Sequence, residues 1–142
     1  MSKVDMDDLI TGILETVKIV ALVGASNKPE RPSYQVMKFL QKRGFTVIPI
    51  NPGQADGEIL GETVYASLED APAYDMVDIF RASDAAGDVV REAIRLADEK
   101  RTSVVWMQIG VTNDAAKAEA EAAGLVVIQN RCPKKEMERL GI

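Results

Sequence analysis

The stretch Gly24-Ala25-Ser26-Asn27-Lys28-Pro29-Glu30-Arg31-Pro32-Ser33 joins the apolar run Ile19-Val20-Ala21-Leu22-Val23 to a helical pattern. A glycine turn between a strand and a helix start leaves main-chain amides unpaired, and such amides attract anions. Gly24 permits a tight turn, the amides around Ala25, Ser26 and Ser33 point to a phosphate, and Lys28 and Arg31 supply positive charge. An ordinary β–α turn also favours Gly and Ser, so composition alone leaves both readings open. The second and third glycines of G-x-G-x-x-G are missing, and the loop before the helix is longer than that fingerprint allows. At the end of the second strand, where a dinucleotide site offers Asp or Glu to a ribose, the chain has Asn51 and Pro52. Ordinary NAD binding is disfavoured.

Four further side chains have types that could do chemistry. Asp75 and Asp78 fall in one apolar strand, and a carboxylate buried there needs a hydrogen-bonding partner. A structural role fits them better than acid–base work. Gln108, at the end of the next strand, is a better polar contact for a ligand than Trp106, which reads as core. Cys132 lies beside Arg131 and ahead of Lys134 and Lys135, a setting that would lower a thiol pKa. The competing reading, which we prefer, is a small buried apolar side chain.

The 142-residue chain has a net charge of −5, one cysteine and no histidine. Nucleic-acid binding needs clustered Lys and Arg and is disfavoured. A disulfide framework, a cysteine zinc cluster, histidine catalysis, phosphohistidine and His–metal chemistry are excluded. No metal site and no catalytic residue is expected. No apolar run approaches the ~20 residues that span a bilayer, and the acidic start Met1-Ser2-Lys3-Val4-Asp5 lacks a signal-peptide core. A cytoplasmic protein without a membrane partner is expected.

The elements that must position these residues follow from periodicity. Residues 5–16 read as an amphipathic helix and 18–23 as the first strand. A helix over 33–43 would bury Val36, Met37 and Leu40 and end at Gly44. Strand Phe45–Ile50 stops at the turn Asn51-Pro52-Gly53, a short strand is expected near Thr63–Tyr65, and Ser67 would cap a one-turn helix to Asp70. Strand Met76–Phe80 leads to a helix over 85–98, capped by Asp84, with Ala86, Val89, Val90, Ala93, Ile94 and Ala97 on its buried stripe. Strand Ser103–Gln108, an alanine-rich helix capped by Asn113, strand Leu125–Ile128 and a short helix after Pro133 complete the chain. Alternating apolar strands and helices specify an α/β fold with one doubly wound, mainly parallel, Rossmann-like sheet. Residues 1–142 are read as a single domain with its core over about 17–138.

Five strings, "VGASNKPERPSYQV", "GFTVIPINPG", "DMVDIFR", "VVWMQIGV" and "NRCPKKE", occur in order over about residues 15–138. Together they resemble the small single-domain CoA-binding proteins, related in fold to the CoA-binding domain of the succinyl-CoA synthetase α subunit. The resemblance implies that Gly24, Ala25 and Ser26 line the phosphates of CoA, with Arg31, Pro32, Ser33 and Tyr34 closing over them. It also implies that Asn51 and Pro52 flank the adenosine, and that Phe80 and Arg81 form the adjoining wall. No ligase domain or phosphorylated histidine is matched, which speaks against acid–thiol ligation by this chain alone. The loop after Pro52 also lacks a lysine for a 3′-phosphate. The expected function is non-enzymatic binding of CoA or acyl-CoA, as a carrier, a sensor or a module presenting it to a partner protein. The alternative is a nucleotide-cofactor enzyme, such as a small NAD(P)-dependent oxidoreductase, or one component of an acyl-CoA-processing complex. Were Cys132 near the exit of the pantetheine arm, it could exchange with the CoA thiol; buried, it would be inert.

Overall fold

The computed structural model describes residues 3–142, with side chains from Met6 onward. The elements run α1 Lys3–Thr16, β1 Ile19–Val23, α2 Pro32–Lys42, β2 Thr46–Ile50, β3 Glu58–Ile59, β4 Glu62–Thr63, β5 Met76–Ile79, α3 Ser83–Lys100, β6 Val104–Met107, α4 Asp114–Ala122, β7 Val126–Ile128 and α5 Pro133–Leu140. Five strands form one parallel sheet in the order β2-β1-β5-β6-β7. The chain winds outward from β1 to β2, then returns across β1 to begin the other half at β5. The strand order therefore reverses between β1 and β5, which makes the carboxyl ends of those strands the natural ligand crevice.

Strand residues alternate between two apolar layers because successive side chains point to opposite faces. Val20, Leu22, Val47, Met76 and Trp106 join α1, α2 and α5 on one face. Ala21, Val23, Ile48, Val77, Ile79 and Met107 join α3 and α4 on the other. Leu22 and Leu40 are fully buried, and such burial is worth ~1.5–3 kcal/mol each. This fold confirms the expected doubly wound, Rossmann-like architecture.

Local differences have physical reasons. The expected strand near Thr63–Tyr65 is instead a two-strand antiparallel ribbon, with Glu58 opposite Thr63 and Ile59 opposite Glu62. Its turn residues Leu60 and Gly61 both have positive φ, 49° and 82°, the backbone of a type I′ hairpin. Tyr65 then forms one parallel bridge to Ile50. Ser67 does accept from the Asp70 amide at 3.3 Å, but the segment is a turn and not a helix. Asp84 does not cap α3. The helix begins two residues earlier, at Ser83 with Ala82 at its N-cap, and Asp84 sits in the first turn, where its charge suits the helix dipole. On α3 the buried stripe is Ala86, Gly87, Val90, Ala93 and Leu96, while Val89, Ile94 and Ala97 are half-buried. Asn113 caps α4 as expected, accepting from the Ala116 amide at 3.0 Å.

Candidate functional site

The crevice at the reversal point is built around a backbone contact. Gly24 has φ +90°, and a Cβ placed there would lie 2.2 Å from the Phe80 carbonyl oxygen. Glycine is required because the end of β5 presses against the turn after β1. The Gly24 and Ala25 amides both donate to the Ile50 carbonyl, at 3.1 and 3.3 Å. That corrects the expected donor set: these two amides hold the ends of β1 and β2 together. The Ser26, Ser33 and Tyr34 amides make no such bond within the described residues. Helix geometry explains the last two, which lie in the first turn of α2. Pro32 occupies the opening position of that turn, and the N-cap residue Arg31 makes no side-chain cap. An uncapped helix start leaves its donors available to an anion.

A polar cleft of about 390 Å³ lies over this start, lined by Gly24, Ala25, Ser26, Lys28, Arg31, Pro32, Ser33, Asn51, Gln54 and Phe80. Asn51 is held on both sides: its Nδ2 donates to the Ala25 carbonyl at 2.8 Å and its Oδ1 accepts from the Gly53 amide at 2.8 Å. It latches the two loops more than it offers free polar groups. Pro52 is exposed and outside the lining; it begins a short 3-10 turn that brings Gln54 to the cleft. Gln54 Oε1 is buried without a hydrogen-bond partner, a residue the sequence reading missed. Tyr34 is likewise outside the cleft and packs half-buried against the α1–α2–α5 layer.

A second cavity of about 500 Å³ adjoins the first and shares Pro32 and Phe80 with it. Its other walls are Gln35, Val36, Arg81, Ala82, Gln108, Ile109, Val111, Cys132, Lys134 and Lys135. Six of these ten come from the loop after β6, the β7–α5 loop and α5, segments distant in sequence that the strand order brings beside β5. Five cations line the two cavities, Lys28, Arg31, Arg81, Lys134 and Lys135, and no Asp or Glu does. The ion pairs among the described residues use Arg91, Arg95, Lys100, Arg131 and Arg139, so none of the five is engaged in one. In a chain of net charge −5, that arrangement favours an anionic ligand.

Beneath the second cavity Gln108 Nε2 donates to Asp78 Oδ1 at 2.9 Å. Asp78 is fully buried, and its Oδ2 has no hydrogen-bond partner among the described residues. Burial pushes the carboxyl pKa up to about 7, with the Gln108 bond opposing the shift. Asp75, by contrast, accepts from the Lys18 and Ile19 amides at 2.8 Å each and is structural, as read from sequence. Cys132 is buried at the N-cap of α5, and burial raises its pKa despite the opposing Lys134 and Lys135 amides. The packed reading of Cys132 holds, and the nearby cations do not generate a low-pKa thiolate. Trp106 is core, its Nε1 donating to the Arg131 carbonyl at 2.8 Å.

Residues 18–138 match the CoA binding domain family model. The chain belongs to that family. The "Uncharacterized protein YneT" of Bacillus subtilis (strain 168) is 35% identical over 127 residues, covering 88% of this chain and 89% of its own. A hypothetical protein from Pyrococcus horikoshii OT3 has the same fold at TM-score 0.87 and 40% identity, over 96% of this chain and 92% of its own. The dinucleotide-forming acetyl-coenzyme A synthetase 1 of Ca. Korarchaeum cryptofilum matches at TM-score 0.66 and 24% identity, over 80% of this chain and 26% of its own, a likeness of fold. The same fold thus occurs both in a small protein of similar length and inside a much larger chain.

Proposed function

We propose that the protein binds CoA or acyl-CoA in the cytoplasm without transforming it, as a carrier, a sensor or a module that presents CoA to a partner protein. The diphosphate lies at the start of α2, against the Ser26 and Ser33 amides and the Lys28 and Arg31 charges. Adenosine lies toward Asn51 and Gln54. The pantetheine arm passes between Pro32 and Phe80 into the apolar cavity, beside Arg81 and Gln108. The observation that carries this reading is the pair of adjoining cavities: one polar at a helix start, one mainly apolar, with five cations on their walls that form no ion pair, and no carboxylate, among the described residues. A plain nucleotide would fill only the first. An apolar arm attached to a diphosphate fits both. The raised thiol pKa of Cys132 leaves the cavity without an activated nucleophile at that position, which supports binding over thiol chemistry.

Calorimetric titration with CoA, acetyl-CoA, ADP and NAD tests the reading. CoA and acetyl-CoA should bind more tightly than ADP, because only they bury an arm in the second cavity. Equal affinity for CoA and ADP, or a preference for NAD, would overturn it. Among the described residues no helix is long and apolar enough to cross a membrane.

A further inference from the structure

The Asp78–Gln108 pair under the apolar cavity is a polar pairing that burial leaves incomplete. Asp78 sits mid-strand in β5, between its register partners Leu22 and Trp106, and is fully buried with Oδ2 unpartnered. Gln108 is nearly buried and lines the cavity, with Nε2 tied to Asp78 at 2.9 Å. With that end of the amide held, its opposite end is the one left for a ligand.

We infer that Asp78 positions Gln108 as a reversible amide relay: when the arm of a bound CoA fills the cavity, Asp78 takes up a proton and Gln108 turns to donate a hydrogen bond to a carbonyl of that arm. This rests on the CoA reading above. The chemistry follows from the donor and acceptor inventory. An ionised Asp78 can only accept, so it holds Gln108 by Nε2 and leaves Oε1 facing the cavity. A protonated Asp78 donates its O–H to Oε1, which turns Nε2 outward as a donor. The second arrangement fits an amide or thioester carbonyl.

Filling the cavity displaces water from above Gln108. A carboxylate in drier surroundings is disfavoured relative to the neutral acid. The charges around Asp78 do not prevent this. Leu22 and Trp106 on the adjacent strands are neutral, and α2 contributes Ser33, Val36 and Met37 to this layer. From α5 and its approach come the Cys132 thiol, itself raised by burial and by the Asp78 charge, and Lys134 and Lys135 on the cavity wall. Glu136 and Arg131 are joined to each other at 2.7 Å, and Arg81 is exposed on the cavity wall. Burial and the single Gln108 bond are what set the Asp78 titration near neutrality.

The sign of the effect is fixed. If CoA binds the protonated form better, its affinity is highest at low pH and falls as pH rises through the Asp78 titration. Calorimetry with CoA and acetyl-CoA from pH 6 to 9, each in two buffers of different ionisation enthalpy, reads both affinity and proton uptake. The wild-type protein should lose about fivefold more affinity over that range than Asp78→Asn, and should take up a fraction of a proton near pH 7 that the variant does not. Titration of the ligand's own phosphate is common to both proteins and cancels. Identical pH profiles and proton counts in the two proteins, with CoA bound, overturn the relay and leave the CoA reading intact. Failure of CoA to bind at any pH overturns the CoA reading. The relay is then judged on ¹³C NMR of the Asp78 carboxyl in the free protein. Titration near the ordinary aspartate value, or a Gln108 side-chain amide signal that does not move with it, overturns the relay too.

Discussion

Gly24 shows how one residue type can have two explanations that only geometry separates. A glycine after β1 fits close approach of a phosphate, but here the approaching group is the Phe80 carbonyl of the same chain. Gly24→Ala should therefore lower stability by ~1–3 kcal/mol, through positive φ and the clash. Urea unfolding checks it; an unchanged midpoint would show that the contact relaxes freely. Arg81 is exposed on the cavity wall and forms no ion pair among the described residues, so Arg81→Ala should weaken CoA binding by about 1 kcal/mol, or roughly fivefold, with stability unchanged. Asp78 bears on stability as well as on the ligand. Its folded pKa, about 7, lies above the ordinary 3.8. The folded state therefore holds the extra proton between those values, and the Asp78 contribution falls as pH rises from about 4 through 7. Asp78→Asn should unfold at higher temperature than wild type at pH 8, with the difference shrinking toward pH 5. A difference that stays constant with pH would mean the group does not titrate in that range.

At the scale of elements, most of the fold was readable because strands and helices differ in period and the strands of the five-stranded sheet are mainly apolar on both faces. The ribbon Glu58–Thr63 was not readable: two-residue strands carry no period, and the Leu60-Gly61 turn has a non-glycine residue at positive φ. The start of α3 was misplaced because an acidic residue suits either a cap or a first turn. The polar cleft was legible from the β1–α2 loop and the end of β2. The second cavity was only partly legible, since strand order, which no local pattern encodes, sets Cys132, Lys134 and Lys135 beside Phe80. The uncapped start of α2 gives a prediction at this scale. Arg31→Asp would supply a cap to the first-turn amides, stabilising the protein by ~0.5–2 kcal/mol. The same carboxylate would occupy the anion donors and repel a phosphate. Thermal unfolding should shift upward while CoA affinity drops by at least about tenfold. Loss of stability and retained affinity together would show that the helix start is not the phosphate site.

For the whole molecule, net charge and site charge have opposite signs. A chain of net charge −5 repels a polyanion at long range. Its cavities present Lys28, Arg31, Arg81, Lys134 and Lys135 with no acidic neighbour on the walls. Salt separates the two contributions because screening acts on both. If the overall charge dominated, raising the ionic strength would relieve repulsion and strengthen CoA binding. If the wall cations dominate, salt weakens it. Contacts within a few ångströms outweigh charges spread over the surface, since the screening length at 0.1 M salt is only about 10 Å. CoA affinity should therefore fall, by roughly three- to tenfold between about 0.05 and 0.5 M salt. An Arg81→Ala, Lys134→Ala, Lys135→Ala triple variant should show a shallower slope, which calorimetry at matched pH measures. Affinity that rises with salt in the wild-type protein would remove the cations from the binding energy and, with them, the main reason for placing a polyanion across both cavities.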